Sequence, residues 1–358
     1  MNPAFIILPI IYTCANAYLY FATLQAVDCL PTWSKVLFSI LFWIAAFALF
    51  IAIGLRKSRL PNLVVGTLFR IGSVWIVFLL YSVLLLAVAN IIHLALPFPH
   101  HSLWYVLPLV GVLLIYGYIN YHNPRIERIN IAFEKETTPK MRIVTISDIH
   151  LGYGTGIKAF NKYIDLINAQ RPDIVLIMGD LIDNSLKPIV NKPYAEAIAK
   201  IHAPLGIYMA PGNHEYLSGI DNVVEYLSDT PITLLRDCIV ELPNGIQIVG
   251  RDDCTNSKRK SLETLMARTD KKRPIIVLDH QPRKLAKADA LKVDLLLCGH
   301  THRGQVFPFN LITDRIYEQS HGYRKWSHAH IWVSSGLSIW GPPFRIGTHS
   351  DLAVINIK

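Results

Sequence analysis

Residues 141–150 read MRIVTISDIH: a β-branched run, Arg142 to Ser147, then Asp148 and His150 directly behind it. A short run of this kind predicts a buried strand that delivers two metal-ligating side chains at its carboxyl end. The same arrangement recurs downstream. Asp173 to Met178 leads into Gly179 and Asp180, with Asp183 close behind. Gly206 to Ala210 leads into Pro211, Gly212, Asn213, His214 and Glu215. Pro274 to Leu278 leads into Asp279 and His280, and Val293 to Cys298 into Gly299, His300, Thr301 and His302. Ligands in α/β sheets usually bind in the loops at the carboxyl ends of strands.

Between these strands lie amphipathic segments. Ile157 to Gln170 puts Phe160, Tyr163, Ile164 and Ile167 on one helical face. Tyr194 to His202, Asp221 to Leu227 and Ser261 to Arg268 also read as helices. Further strands are expected at Ile129–Phe133, Ile232–Leu235, Cys238–Leu242, Gln247–Gly250, Gln305–Phe307, Ile331–Ser334 and Leu352–Ile357. The pattern is an α/β domain with two layers of strand covered by helices.

Asp148, His150, Asp180, Asn213, His280, His300 and His302 are seven candidate ligands, all oxygen or imidazole donors. That selection suits Mn²⁺, Fe or Zn²⁺ and argues against Cu(I) or an iron–sulfur cluster. One catalytic ion typically takes three protein ligands, whereas two ions sharing a carboxylate use seven naturally. Gly179, Gly212 and Gly299 let the backbone turn sharply beside them. The five cysteines show no CxxC spacing and imply neither a disulfide framework nor a thiolate site.

Taken in this order, Asp148-Ile-His150, Gly179-Asp180, Gly212-Asn213-His214-Glu215, His280 and Gly299-His300-Thr301-His302 resemble the calcineurin-like metallophosphoesterase superfamily. The resemblance covers about residues 141–358. Within the superfamily it is strongest to bacterial membrane-associated phosphoesterases with an N-terminal hydrophobic region. These carry a late Gly-Leu-Gly-type loop followed by an arginine. Here that loop runs Ser335-Gly336-Leu337-Ser338 to Arg345, with Ser338 in place of the second glycine.

The resemblance implies a four-layer α/β/β/α sandwich and hydrolysis of phosphate esters or anhydrides. It assigns Asp148, His150 and His302 to a first metal, Asp180 to a bridge, and Asn213, His280 and His300 to a second metal. His214 becomes the non-ligand histidine facing the substrate, and Asp183 the acid that orients it. The chemistry agrees with these roles. Two cations neutralise phosphoryl oxygens and lower the pKa of a bridging water, so that a hydroxide can attack in line. His214 can stabilise or protonate the leaving alkoxide.

Composition separates this domain from what precedes it. The 358 residues are 52% hydrophobic and 17% charged, against about 25% charged in a typical soluble protein. Residues 1–121 hold only Lys35, Arg56, Lys57, Arg59, Arg70 and Asp28 as charges. They contain four uncharged apolar runs, 4–24, 36–55, 71–96 and 103–121, each long enough or nearly so to span a bilayer. The expected organisation is therefore a four-span helical region at 1–121, a linker with a first strand at 122–140, and a phosphoesterase domain at 141–358.

Basic residues concentrate between the second and third spans and, as Arg125 and Arg128, after the fourth. By the positive-inside rule both these sides face the cytoplasm, which predicts a multi-pass protein of the inner or plasma membrane with a cytoplasmic catalytic domain. Met1 to Pro9 has no basic n-region, so no cleavable signal peptide is expected. A surplus of five positive charges over the remaining 237 residues is too mild for a nucleic-acid footprint.

The leading expectation is a membrane-anchored dinuclear phosphoesterase with a phosphate-containing substrate, a lipid-linked phosphate being the class that would explain the tether. Competing readings are a phosphodiesterase of a soluble nucleotide and a non-catalytic metal-binding membrane receptor or scaffold. Arg303 and Arg345 are weighed as phosphate contacts against ordinary solvated arginines, and Asp279 as a support for the metal site against a plain strand-end acid.

Overall fold

The computed structural model describes residues 4–95, 102–135 and 139–358. Leu96, the connection through residue 101, and residues 136–138 of the expected linker lie outside the described residues. The chain divides into two units. One comprises residues 1–119 with Gly341–Phe344, the other residues 120–340 with 345–358.

The first unit contains α1 (Ala4–Ala26), α2 (Thr32–Leu55), α3 (Asn62–Ala95) and most of α4 (Leu103–Tyr121). All four are long and apolar enough to cross a membrane. Helix α3 starts nine residues before the expected span. Arg70 sets a limit on where the apolar run can begin, but an arginine is a good helix former and does not end the helix. Gly72 lets α3 approach the main chain of Leu49 on α2, where a Cβ would collide. Polar residues within these apolar helices are used between them. Trp75 Nε1 donates to Asn16 Oδ1 at 2.9 Å, and Asn90 Nδ2 to the Tyr18 hydroxyl at 2.6 Å.

The second unit is built on two six-stranded sheets. In chain order its elements are β1 (Arg125–Ile131), β2 (Met141–Ile146), α5 (Ile157–Ala169), β3 (Ile174–Met178), α6 (Tyr194–Ile198), β4 (Ile207–Ala210), α7 (Asn213–Ser218), α8 (Ile220–Ser228) and β5 (Ile232–Leu234). They continue with β6 (Cys238–Glu241), β7 (Gln247–Gly250), α9 (Leu262–Met266), β8 (Ile275–Leu278), α10 (Leu285–Ala290), β9 (Leu295–Cys298), α11 (Phe309–Ile316), β10 (Gly322–Lys325), β11 (His330–Val333) and β12 (Asp351–Ile357). The sheet orders are β1-β12-β2-β3-β4-β5 and β10-β11-β9-β8-β7-β6.

The strands read as continuous apolar runs because both faces of each sheet are covered. In β3, Ile174, Leu176 and Met178 point to the layer between the sheets, where they meet Ile276, Leu278, Leu295 and Leu297. Val175 and Ile177 point the other way, to Phe160, Tyr163, Ile164 and Ile167 of α5. The outer face of the second sheet is closed by Leu262, Leu265 and Met266 of α9 and Leu285 of α10. The result is the expected four layers, α/β/β/α.

Two features position the site. Strands β2, β3 and β4 are mutually parallel, as are β7, β8 and β9, so their carboxyl ends and the loops behind them gather at one edge of each sheet. Strand β12 runs antiparallel to β2 and parallel to β1. The chain therefore enters this unit, at Arg125, on the same end as those loops.

Gln305–Phe307 does not form the expected strand. Only Val306 makes an isolated bridge, to Ile346, because the chain has just left a tight 3-10 turn at His302–Gly304 and enters α11 at Phe309. Helices α7, α10 and α11 and strand β10 were not anticipated; each is eight residues or fewer, too short for a clear period.

Candidate metal centre

The five loops bring all seven expected ligands and both expected catalytic residues to one place. The backbone there is unusual. Asp148, His150, Asp180, His300 and His302 all take positive φ, between 47° and 71°. Non-glycine residues seldom adopt this region, and such strain clusters at functional sites. The neighbouring glycines make room: a Cβ on Gly212 would collide with the Asp180 carboxylate, and one on Gly299 with Ser147 and Asp148.

Asp148, His150 and His302 form one group able to hold a metal ion, and Asp180, His280 and His300 form another. In the first, His302 Nε2 lies 3.4 Å from Asp148 Oδ1 and 3.1 Å from His150 Nε2. In the second, His280 Nε2 lies 3.2 Å from Asp180 Oδ2 and 3.2 Å from Asn213 Oδ1. Asp180 Oδ2 is also 3.9 Å from His150 Nε2, so one oxygen faces both groups. His280 Nδ1 lies 2.6 Å from the carbonyl of Met178, which fixes that ring and leaves Nε2 for the site.

The electrostatics of His150, His300 and His302 fit cation binding, whereas Asp180 overrides burial at His280 and raises its pKa well above the ordinary value. Burial, with His214 nearby, pushes the pKa of His150 well below its ordinary value, and burial together with Arg345 does the same to His302. Burial and the neighbouring His280 hold His300 at about 4. Neutral imidazoles are the form that coordinates metal. Nδ1 of both His150 and His302 is buried without a hydrogen-bond partner, while their Nε2 atoms face each other and a carboxylate oxygen. Lone pairs converging in this way call for a positive charge between them. Burial opposes ionisation of Asp180, but His280 and His214 outweigh it and hold the carboxyl well below its usual range.

His214 stands beside the groups. Its Nδ1 lies 3.1 Å from Asp183 Oδ1, and its main-chain N–H donates to Asp180 Oδ1 at 2.9 Å. Asp183, His150 and His214 also lie close enough together to hold an ion, but the Asp183–His214 hydrogen bond already pairs two of the three. Trp340 approaches the His214 ring edgewise, with centroids 6.2 Å apart.

Several supporting residues escape a sequence-level reading. Glu215 is fully buried and accepts from the main-chain N–H groups of Asp180, Ile182 and Gly212 at 2.7–3.0 Å. It stitches two ligand-bearing loops together, and its place three residues after Gly212, where a carboxylate can reach back to the amide that opens the helix, is the signal that could have revealed this. Arg345 is neither a solvated arginine nor a phosphate contact: it is fully buried and donates only to main-chain carbonyls. Asp279 is buried and paired with Arg251 and Arg259, so Arg259 is not a freely solvated residue either. Ser338, the departure in the late loop, is used through its hydroxyl, 2.8 Å from Thr155 Oγ1 and 3.0 Å from the Tyr121 hydroxyl.

Comparison with known proteins agrees with this arrangement. Residues 141–304 match the family model for calcineurin-like phosphoesterase. An uncharacterized metallophosphoesterase of Helicobacter pylori strain J99 is 30% identical over 259 residues, covering 71% of this chain and 69% of the relative. An uncharacterized metallophosphoesterase of Aquifex aeolicus is 32% identical, covering 70% of this chain and 98% of the relative. A Danio rerio transmembrane protein with metallophosphoesterase domain is 30% identical, covering 70% and 62%. The chain belongs to the calcineurin-like metallophosphoesterase family and is a metal-dependent phosphoesterase.

Proposed function

We propose that the protein is a membrane-anchored hydrolase of phosphate esters or anhydrides that works with two divalent ions. Asp148, His150 and His302 would hold one ion, Asn213, His280 and His300 the other, and Asp180 both. The observation that carries this is the position of Asp180 Oδ2, which faces His280 on one side and His150 on the other. When bound, a pair of such ions neutralises phosphoryl oxygens and supplies a nucleophilic hydroxide near neutral pH. The donor set of carboxylate, amide and imidazole favours Mn, Fe or Zn.

His214 is the general acid in this reading. Burial disfavours its charged form, but Asp180 and the hydrogen bond to Asp183 prevail and raise its pKa to about 9. Hydrogen-bonded to Asp183, the ring can carry a proton to a leaving oxygen, a contribution of about 10²–10⁴-fold. Asp183 keeps the ring turned toward the substrate side.

The anchoring and orientation rest on the four apolar helices and the distribution of basic residues. Lys35, the one basic residue between the first two apolar runs, lies in the first turn of α2 and is paired with Asp28 at 2.7 Å, so that side carries no net charge. This supports a cytoplasmic catalytic domain at the inner or plasma membrane, and a lipid-linked phosphate is the substrate class that would explain the tether. Metal analysis of the purified protein, coupled to hydrolysis of monoesters, diesters and lipid pyrophosphates, tests the reading. Two equivalents of metal with turnover of at least one class are expected. A full metal complement with no hydrolysis of any class would favour a non-catalytic receptor.

A further inference from the structure

Helix α11 sits badly as a water-facing element. Phe309, Ile312 and Ile316 fall at i, i+3 and i+7, on one face of the helix, and all three are exposed. Leu311, beside them, and Phe307, just before the helix, are exposed as well. Leu311 is 56% and Ile316 68% accessible, values more usual for lysines. The helix is held at its root, where Asn310 is buried and the Phe309–Asn310 main chain lies against Gly304. A contiguous apolar face of this kind on an otherwise polar domain marks a surface that meets something apolar.

The fold says what that is. Asn120, where the chain arrives from its last apolar helix, donates to the carbonyls of Arg345 and Thr348 at 2.8 and 2.7 Å. Arg125, five residues on, donates through its main chain to Ser350 at 2.9 Å. The segment 345–350 thus receives the incoming chain. The same segment holds the root of α11: Phe307 donates to the Ile346 carbonyl at 2.7 Å, and Val306 bridges Ile346. The apolar helix therefore grows from the strip of the domain to which the last of the four apolar helices delivers the chain. Its N-terminal end is also only a few residues beyond His302.

We propose that the exposed face of α11 lies in the headgroup–acyl boundary of the bilayer, as an interfacial helix of the catalytic domain. Its partner is a lipid surface. Arg315 sits between Leu311 and Ile312 around the helix and suits the phosphate level, where a long basic side chain can reach the headgroups. The inference rests on the four helices spanning a membrane, as proposed above, and is independent of whether the metal centre hydrolyses anything.

The test uses the full-length protein in phosphatidylcholine–phosphatidylglycerol vesicles. Cys14, Cys29, Cys238 and Cys254 are replaced by serine; Cys298 is buried and does not react. A nitrobenzoxadiazole probe is then attached at Leu311→Cys or Ile316→Cys, both solvent-facing and so tolerant of change. Lys272→Cys, exposed at the opposite end of the strands, is the aqueous control, and Val88→Cys on α3 is the control for the spans. Acyl-brominated phosphatidylcholine is expected to quench the probe at Leu311 and Ile316, with iodide quenching at least about fivefold weaker than at Lys272. Iodide quenching equal to that at Lys272 would overturn the proposal. So would protection from both quenchers, which would mean that another protein or a second copy of this chain covers the helix. Iodide quenching at Val88 would instead overturn the anchoring itself. Hydrolysis plays no part in the readout, so its absence would leave the result standing.

Discussion

Arg345 donates through Nη1 to the main-chain carbonyl of His302 at 2.7 Å, and through Nη2 to Ser335, Gly336 and Ser338. A fully buried guanidinium thus ties the last ligand loop to the loop that precedes β12. Replacing it by alanine removes the guanidinium from the Ser335 and Ser338 carbonyls and leaves those of His302 and Gly336 with only the Gln305 and Asp351 N–H groups. Arg345→Ala should cost more than about 3 kcal/mol of stability, read from denaturant unfolding. Arg345→Lys keeps the charge but lacks the planar fork, so it should recover only part of that loss. Both variants should lose affinity at the His302 side of the centre, measured by metal titration. An unchanged unfolding midpoint in Arg345→Ala would show that the contacts carry no weight.

The His214–Asp183 pair predicts a pH signature in metal-free protein. Asp180 first and then Asp183 raise the folded-state pKa of His214 to about 9, so these contacts stabilise most below about 6.5 and lose their contribution as pH rises through 9. The ceiling is about 3 kcal/mol for a shift of this size. Asp183→Asn should lower the His214 titration point seen by NMR and flatten stability between those pH values. A His214 titration that ignores Asp183→Asn would sever the link.

Asp180→Asn removes the carboxylate that faces both metal groups while keeping its shape. The bound metal should fall by at least one equivalent, and turnover should fall further than the roughly 10²–10⁴-fold expected for His214→Ala. His214→Ala should leave metal content intact. Normal turnover with full metal in Asp180→Asn would sink the assignment of the centre.

Gly299→Ala places a methyl against Ser147 and within 2.5 Å of Asp148 Oδ2. Because a ligand carboxylate is what must give way, the change should cost about 1–3 kcal/mol and weaken metal binding together. Gly245→Ala is a useful contrast: its Cβ meets nothing, and its cost should come from the positive φ alone. Equal metal affinity in Gly299→Ala and wild type would remove the packing argument.

The layers and the ligand positions were legible in the sequence because each of these buried strands is a short apolar run followed within a few residues by a metal-binding side chain. Asp148, Asp180, Asn213, His280, His300 and His302 all follow that rule. What was not legible depends on residues far apart in the chain. Arg345 reads as a surface arginine until the fold surrounds it with carbonyls from residues 302 and 335–338. Asp279 reads as a strand-end acid until Arg251 and Arg259 close on it. Helix α11 is two turns long, and its apolar residues read equally well as a strand edge or a loop, so its exposed face emerges only once its neighbours are placed.

The pairing of β1 with β12 has a consequence for the order in which the molecule is made. Strand β12 lies between β1 and β2, yet it is translated more than two hundred residues after β1. While the ribosome is still reading the catalytic domain, the four apolar helices have already left it, and the first sheet stands open with a gap one strand wide. Until Asp351–Ile357 emerges, β1 has no partner on that side and the cradle around His302 lacks the segment anchored by Asp351. Closure of the first sheet therefore waits for Asp351–Ile357, long after the four apolar helices have been made.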